Sequence, residues 1–134
     1  MVCIQCSAET QIINSRAGKR NNSVWRRRKC LTCKMVFTTH EKADLNAAWR
    51  VKGKGTELLP FNRDKLFISL HSSLQHRPTA LTDAAGLTDT VITRLAAAAT
   101  DGLIHNTAII QAAVVALHRF DKAASTHYLA FHKA

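Results

Sequence analysis

Cys3-Ile4-Gln5-Cys6 and Arg26-Arg27-Arg28-Lys29-Cys30-Leu31-Thr32-Cys33 decide how the first third of this chain is read. All four cysteines of the sequence lie in these two Cys-x-x-Cys pairs. Two residues between cysteines let a tight turn aim both sulfurs at one point. Two such turns supply four thiolates in a tetrahedron at about 2.3 Å from the ion, the arrangement that structural zinc takes. The 23 residues between Cys6 and Cys30 leave room for a hairpin between the turns. A disulfide framework needs an oxidising compartment, and Met1-Val2-Cys3-Ile4 lacks the basic start and apolar run of a signal peptide. A thioredoxin-like site would carry one pair after a strand, not two pairs around a basic hairpin. The expected unit is a zinc ribbon, with Cys3, Cys6, Cys30 and Cys33 holding a structural Zn2+.

Working outward, Thr10 to Arg16 reads as a first strand, with turn formers at Gly18, Asn21, Asn22 and Ser23. Ser23 to Lys29 is the return strand, and Val36-Phe37-Thr38-Thr39 a third, rich in the β-branched and aromatic residues that strands favour. Such a ribbon is too small to bury a core, so the metal must supply its folding energy.

The 134 residues carry 19 Lys+Arg against 9 Asp+Glu, a net charge of +10. Residues 1–45 hold nine basic and three acidic side chains, net +6, and residues 46–134 hold ten and six, net +4. The ribbon concentrates the excess, so a polyanion should meet it first. Arg16, Lys19, Arg20, Arg26, Arg27, Arg28 and Lys29 are the candidate nucleic-acid contacts. Arginine suits the task because its planar fork takes phosphate oxygens or a guanine edge in two places. Alternation along the strand sends Arg26 and Arg28 to one face and Trp25, Arg27 and Lys29 to the other. Trp25 either stacks on a base or covers the small hydrophobic side of the ribbon, with packing the expected role.

Residues 40–47 have no strong pattern and read as a connection between a ribbon domain (1–45) and a second domain (46–134). The second opens with a β-hairpin, Ala48 to Lys52 and Thr56 to Phe61, turning at Gly53-Lys54-Gly55. Four helices follow. Asn62 caps one from Arg63 to about Leu74, with Leu66, Leu70 and Leu74 in register and Phe67 and Ile68 widening the stripe. Another runs from about Thr82 to Ala99 and stops near Gly102. A nearly all-apolar helix from Asn106 or Thr107 should be central to the core. Asp121 caps the last, carrying Ala124, Tyr128 and Phe131. The class is α+β: a three-stranded ribbon, then a hairpin with a four-helix bundle. Charge is sparse on the helices, which leaves a self-associating surface. No run of eighteen apolar residues exists to span a membrane. No Walker-type loop appears, and the seven histidines are scattered, so an enzyme is not expected.

The ordered set of motifs resembles the NrdR family of bacterial transcriptional repressors. The likeness rests on Asn14-Ser15-Arg16 before the hairpin, Arg26 to Cys33, and Phe37-Thr38-Thr39. It continues through Val51-Lys52-Gly53-Lys54-Gly55, Pro60-Phe61-Asn62-Arg63-Asp64-Lys65-Leu66, Arg77-Pro78 and Phe120-Asp121-Lys122-Ala123-Ala124. The resemblance implies an ATP-cone from about residue 47, binding ATP or dATP. It further implies a homo-oligomer set by the bound nucleotide, and repression through double-stranded operators before ribonucleotide reductase genes. A bacterial cytoplasmic, nucleoid-associated location follows. Val51 and Lys52 match hairpin positions on base and phosphates, and Lys65 matches the helix lysine on the phosphates. The family's hairpin arginine and glutamate are replaced by Gly53 and Leu59; with one residue inserted, Lys54 and Glu57 stand as displaced equivalents. Two tyrosines and two arginines of the family's last helix become Ser125, His127, His132 and Lys133, and its further C-terminal helix has no counterpart in these residues. These departures leave a second reading open: a zinc-ribbon nucleic-acid-binding module whose degenerate cone serves only for oligomerisation.

Overall fold

Thr10–Gly18 (β1), Ser23–Cys30 (β2) and Val36–Lys42 (β3) form an antiparallel sheet in the order β1-β2-β3 in the computed structural model, which describes residues 1–133. They belong to the first of two compact units, Met1–Ala43; the second starts at Asp44. Asn22 turns the hairpin in the left-handed region (φ +46°), which its short polar side chain tolerates, and the buried Ser23 hydroxyl donates to Asn21 Oδ1 at 2.7 Å. A register shift between Ile12 and Asn14 bulges β1. Cys3, Ser23 and Cys30 are the buried residues of this unit, so the sheet has no apolar core on either face.

In the second unit, Asp44 caps a single helical turn, α1 (Leu45–Ala48). Arg50–Lys52 (β4) pairs antiparallel with Leu58–Pro60 (β5), giving the expected hairpin. Four long helices follow: α2 (Arg63–Ser73), α3 (Ala80–Ala98), α4 (Asn106–Phe120) and α5 (Lys122–Phe131). Each packs on the next, and α5 returns to α2, closing a ring around Leu70, Leu74, Val91, Leu95, Leu117 and Tyr128. Asn62 and Asp121 cap α2 and α5 as their residue types predict, accepting from Lys65 N and Ala124 N.

Several sequence expectations change. The segment read as connection is strand β3 up to Lys42, then α1. Helix α3 starts at Ala80, two residues before Thr82. Ile68 and Phe131, assigned to buried stripes, are 61% and 72% exposed. Helix α4 buries Ile110, Ala113, Ala116 and Leu117 while Val115 is exposed, so one side alone reaches the core. A third strand, β6 (Leu103–His105), lies parallel to β4 and makes the sheet β5-β4-β6.

The turn before β6 explains its placement. Asp101 (φ +53°) and Gly102 (φ +74°) occupy the two central positions of a reverse turn, and Leu103 N donates to Thr100 O at 2.9 Å. Positive φ at both positions is the type I′ signature. A Cβ at Gly102 would sit 2.7 Å from Ala48 O, so glycine is needed here for space as well as conformation. Its carbonyl accepts from Arg50 N, which starts the parallel pairing.

Charge holds the α2–α3 corner to the start of α5. Asp121 accepts from His76 Nε2 at 2.8 Å and Arg77 at 3.2 Å, while Arg77 also donates to Asp83. The His76 donor, then the Ala124 N–H and Arg77, lower the Asp121 carboxyl to about 2. The folded state therefore binds this proton less readily than the unfolded chain. Its contribution is fully present above the ordinary carboxylate value and is lost as pH falls toward 2. Asp121→Asn should be less stable than wild type near pH 7, and the gap should close between about pH 4 and pH 2. Denaturant unfolding followed by helical circular dichroism checks this.

Candidate metal centre and nucleic-acid face

The four cysteine sulfurs lie within 4.8 Å of one another. Cys3 Sγ is 3.6 Å from Cys33 Sγ, and Cys6 Sγ is 3.5 Å from Cys30 Sγ. A tetrahedron with zinc–sulfur bonds of about 2.3 Å has edges of about 3.8 Å, so the cluster fits zinc. Both knuckles are built alike. The first cysteine's N–H donates to the carbonyl five residues on (Cys3 to Ala8, Cys30 to Met35), and the residue after the second cysteine is left-handed (Ser7 φ +60°, Lys34 φ +64°). That backbone turns N–H groups onto sulfur: Gln5 N to Cys3, and Thr32 N and Cys33 N to Cys30, each at 3.4 Å. Donors of this kind stabilise thiolate charge and orient the ligands.

The thiols respond unequally. At Cys30 burial pushes upward, but the Cys33 and Thr32 N–H groups prevail and bring it down to about 6. N–H groups of Cys6 and Gln5 lower Cys3. At Cys33 the Met35 N–H pulls down, yet burial and the neighbouring sulfurs push it up to about 12. Crowded thiolates repel one another, and a bound dication is what lets all four ionise together.

Beside the knuckle, β2 presents its basic run to two different environments. On one face Arg26 pairs with Glu41, and Arg28 Nε donates to Thr39 Oγ1 at 3.3 Å. On the other, Arg27 is exposed between Asn14 and Thr38, and the Arg16 guanidinium sits over the Trp25 ring at 5.9 Å. Trp25 is half-buried. Lys19 and Arg20 are exposed in the hairpin turn.

The expected nucleotide residues are divided. Val51 and Lys65 line a cavity of about 360 Å3, with Asn62, Ser69, Tyr128 and His132 on its wall; Lys52, Lys54 and Glu57 are not among its lining residues. Register explains Lys52, because Val51 pairs with Leu59 on the cavity face and the next residue points to the opposite face. The Tyr128 and His132 rings stack at 4.0 Å, and burial pushes the Tyr128 hydroxyl up. These two side chains lie four residues apart on and just after α5, an i, i+4 spacing that was visible in the sequence. The opposite hairpin face meets a second cavity of about 520 Å3, lined by Arg50, Leu58 and the Thr100–His105 segment. Arg50 there donates to the Asn46 and Trp49 carbonyls.

Chelation of a zinc-loaded chain should unfold residues 1–43 and leave α2 to α5 folded, read residue by residue by NMR. Lys34→Gly removes a side chain from a left-handed position and should tighten zinc binding by about 1 kcal/mol in a chelator competition.

A family model described as "Transcriptional repressor NrdR-like, N-terminal domain" matches residues 1–41. Three proteins named transcriptional repressor NrdR align with the chain. The one from Syntrophotalea carbinolica is 30% identical over 134 residues, 99% of this chain and 84% of that protein. The one from Afipia carboxidovorans is 38% identical over 96 residues, 71% of this chain and 60% of the relative. The one from Rhodopseudomonas palustris is 42% identical over 79 residues, 58% of this chain and 49% of the relative. With a four-cysteine ribbon at its start and a likeness that runs through the helices, this chain belongs to the NrdR family.

Proposed function

We propose that the chain is a zinc-dependent transcriptional repressor that binds double-stranded DNA through its ribbon and answers to ATP or dATP through its second unit. The observation that carries this reading is the basic sheet built directly on the four-sulfur cluster. The cluster fits zinc, the relatives carry the name of a repressor, and that role requires binding and no catalysis. Among the described residues no helix is long and apolar enough to cross a membrane.

The second unit supplies regulation in this reading, acting as a nucleotide-binding and oligomerisation domain. A nucleotide in the 360 Å3 cavity would meet an apolar wall for its base and Lys65 for its phosphates. It changes the assembly only by binding one oligomer more tightly than another, and the assembly then sets how many ribbons meet the DNA together. The operators would lie before ribonucleotide reductase genes.

One observation favours the second reading, in which the cone serves only for oligomerisation. Of the five expected nucleotide contacts, two line the cavity, and Lys65 is the one lysine there. Calorimetry and sizing with ATP and dATP separate the two. Saturable binding with a change of size, weakened about tenfold or more by Lys65→Ala, supports a nucleotide switch. No heat and no size change with either nucleotide reduces the cone to an assembly module.

A further inference from the structure

The two faces of the ribbon sheet differ in charge, in exposure and in what their side chains are already doing. Cross-strand partners share a face. One face carries Arg26 and Arg28 with Glu41, Thr39 and Phe37. It has one acid for its two cations: Arg26 is paired to that acid, and Arg28 is bonded to Thr39. Its central residues Arg26, Arg28, Phe37 and Thr39 are all half-buried. The other face carries Arg16, Arg27, Lys29 and Lys42 and no acid. No ion pair among the described residues involves any of these four.

At the centre of this second face lies a rung of three exposed side chains, one from each strand: Asn14, Arg27 and Thr38. The β1 bulge sits next to it and brings Asn14 into register with Arg27. Asn14 Oδ1 accepts from Ser15 N at 2.8 Å, which holds the side chain and leaves its NH2 as a donor. Three strands span about 10 Å at the usual spacing. The major groove of B-DNA is about 12 Å wide and admits a two-stranded β-ribbon, and the backbone of this sheet is of comparable width. The deep, narrow major groove of A-form RNA does not. A single strand would call for exposed aromatic platforms. Of the two rings on this face, Trp25 is half-buried under Arg16, and its cross-strand partner His40 offers a small exposed imidazole and no broad platform.

We propose that the Asn14–Arg27–Thr38 rung is the base-reading element of this ribbon, entering the major groove of duplex DNA with Arg16, Lys29 and Lys42 on the flanking phosphates, while Arg26 and Arg28 stay in their cross-strand contacts on the opposite face. Arg27 has the fork for a guanine O6/N7 pair, Asn14 offers a donor to an acceptor edge, and Thr38 offers a hydroxyl and a methyl. The proposal rests on the DNA-binding reading above and assigns that function to one face.

The test uses the full zinc-loaded chain, the duplexes it enriches from a random-sequence pool, and scrambled duplexes of equal length. Arg27→Lys keeps the charge and loses the fork. It should retain the salt dependence and binding to scrambled duplex while losing about ten- to hundredfold in preference for the enriched sequence. Arg27→Ala should lose that preference at least as far, whereas Lys42→Ala, on a phosphate, should weaken both duplexes alike and flatten the salt slope by about 0.9. The double variant Arg26→Ala with Glu41→Ala removes a neutral pair from the other face and should change affinity by less than about threefold, with zinc content unchanged. The assignment is overturned if the Arg26/Glu41 variant loses as much preference as Arg27→Ala, or if Arg27→Lys keeps the preference intact. It is equally overturned if single-stranded DNA or duplex RNA competes as well as the enriched duplex. Absence of duplex binding by the wild-type chain would sink the DNA-binding reading itself, a result distinct from binding through the wrong face.

Discussion

The convergence of four cysteine sulfurs replaces a hydrophobic core in the first unit, and the use of its surface depends on that substitution. Cys3 and Cys30 are buried, Ser23 is the other buried residue, and apolar side chains such as Ile4, Ile12 and Leu31 stay exposed. A sheet of this size would ordinarily have to commit one face to burial. Here the metal ligands tie the chain at one end, where the N–H groups of the two matched knuckles turn onto sulfur. Neither face owes the fold an apolar stripe, so one strand can carry four consecutive cations.

Those cations are equivalent in the sequence and unequal in the structure. Strand alternation separates Arg26 and Arg28 from Arg27 and Lys29 without any knowledge of neighbours. Which pair remains available depends on the register of β3, since that register places Glu41 beside Val24 and Thr39 beside Arg26. A basic run quoted alone hides its partner strand. The same limit applies to the knuckles: the Cys-x-x-Cys spacing announces the metal, yet the left-handed residues that close each turn are Ser7 and Lys34, neither of which signals positive φ as glycine would.

In the second unit the helices were readable because Leu66, Leu70 and Leu74 repeat at the helical period and are buried where that period puts them, while the apolar run of α4 announced a helix without showing which side is covered. The same periodicity overreached at Ile68 and Phe131, because apolar type does not say how wide the covered stripe is. Strand β6 was not legible. Three residues after a Thr100–Leu103 turn carry no alternation, and their pairing with β4 is made across two intervening helices. The cavity was half legible for a related reason: a hairpin sends alternate residues to opposite faces, so Val51 could reach it and Lys52 could not.

A ribbon with a single rung of three base-reading side chains can discriminate by only a few contacts, each worth about 1–3 kcal/mol. Its flanking cations, at a slope of about 0.9 apiece, bind any duplex nearly as well as the right one. On the proposed reading one ribbon is thus a weak reader with substantial non-specific attraction, a useful property if assembly is what is regulated. Two ribbons held at a fixed spacing multiply the discrimination, because the second rung engages at the effective concentration set by the first. Geometry decides whether that happens: ribbons offered at the wrong separation gain nothing. On the proposed reading a ligand in the cavity beside Tyr128 and His132 need not touch DNA or alter the ribbon. Changing which assembly holds the ribbons is enough to turn a modest, salt-sensitive contact into a selective one.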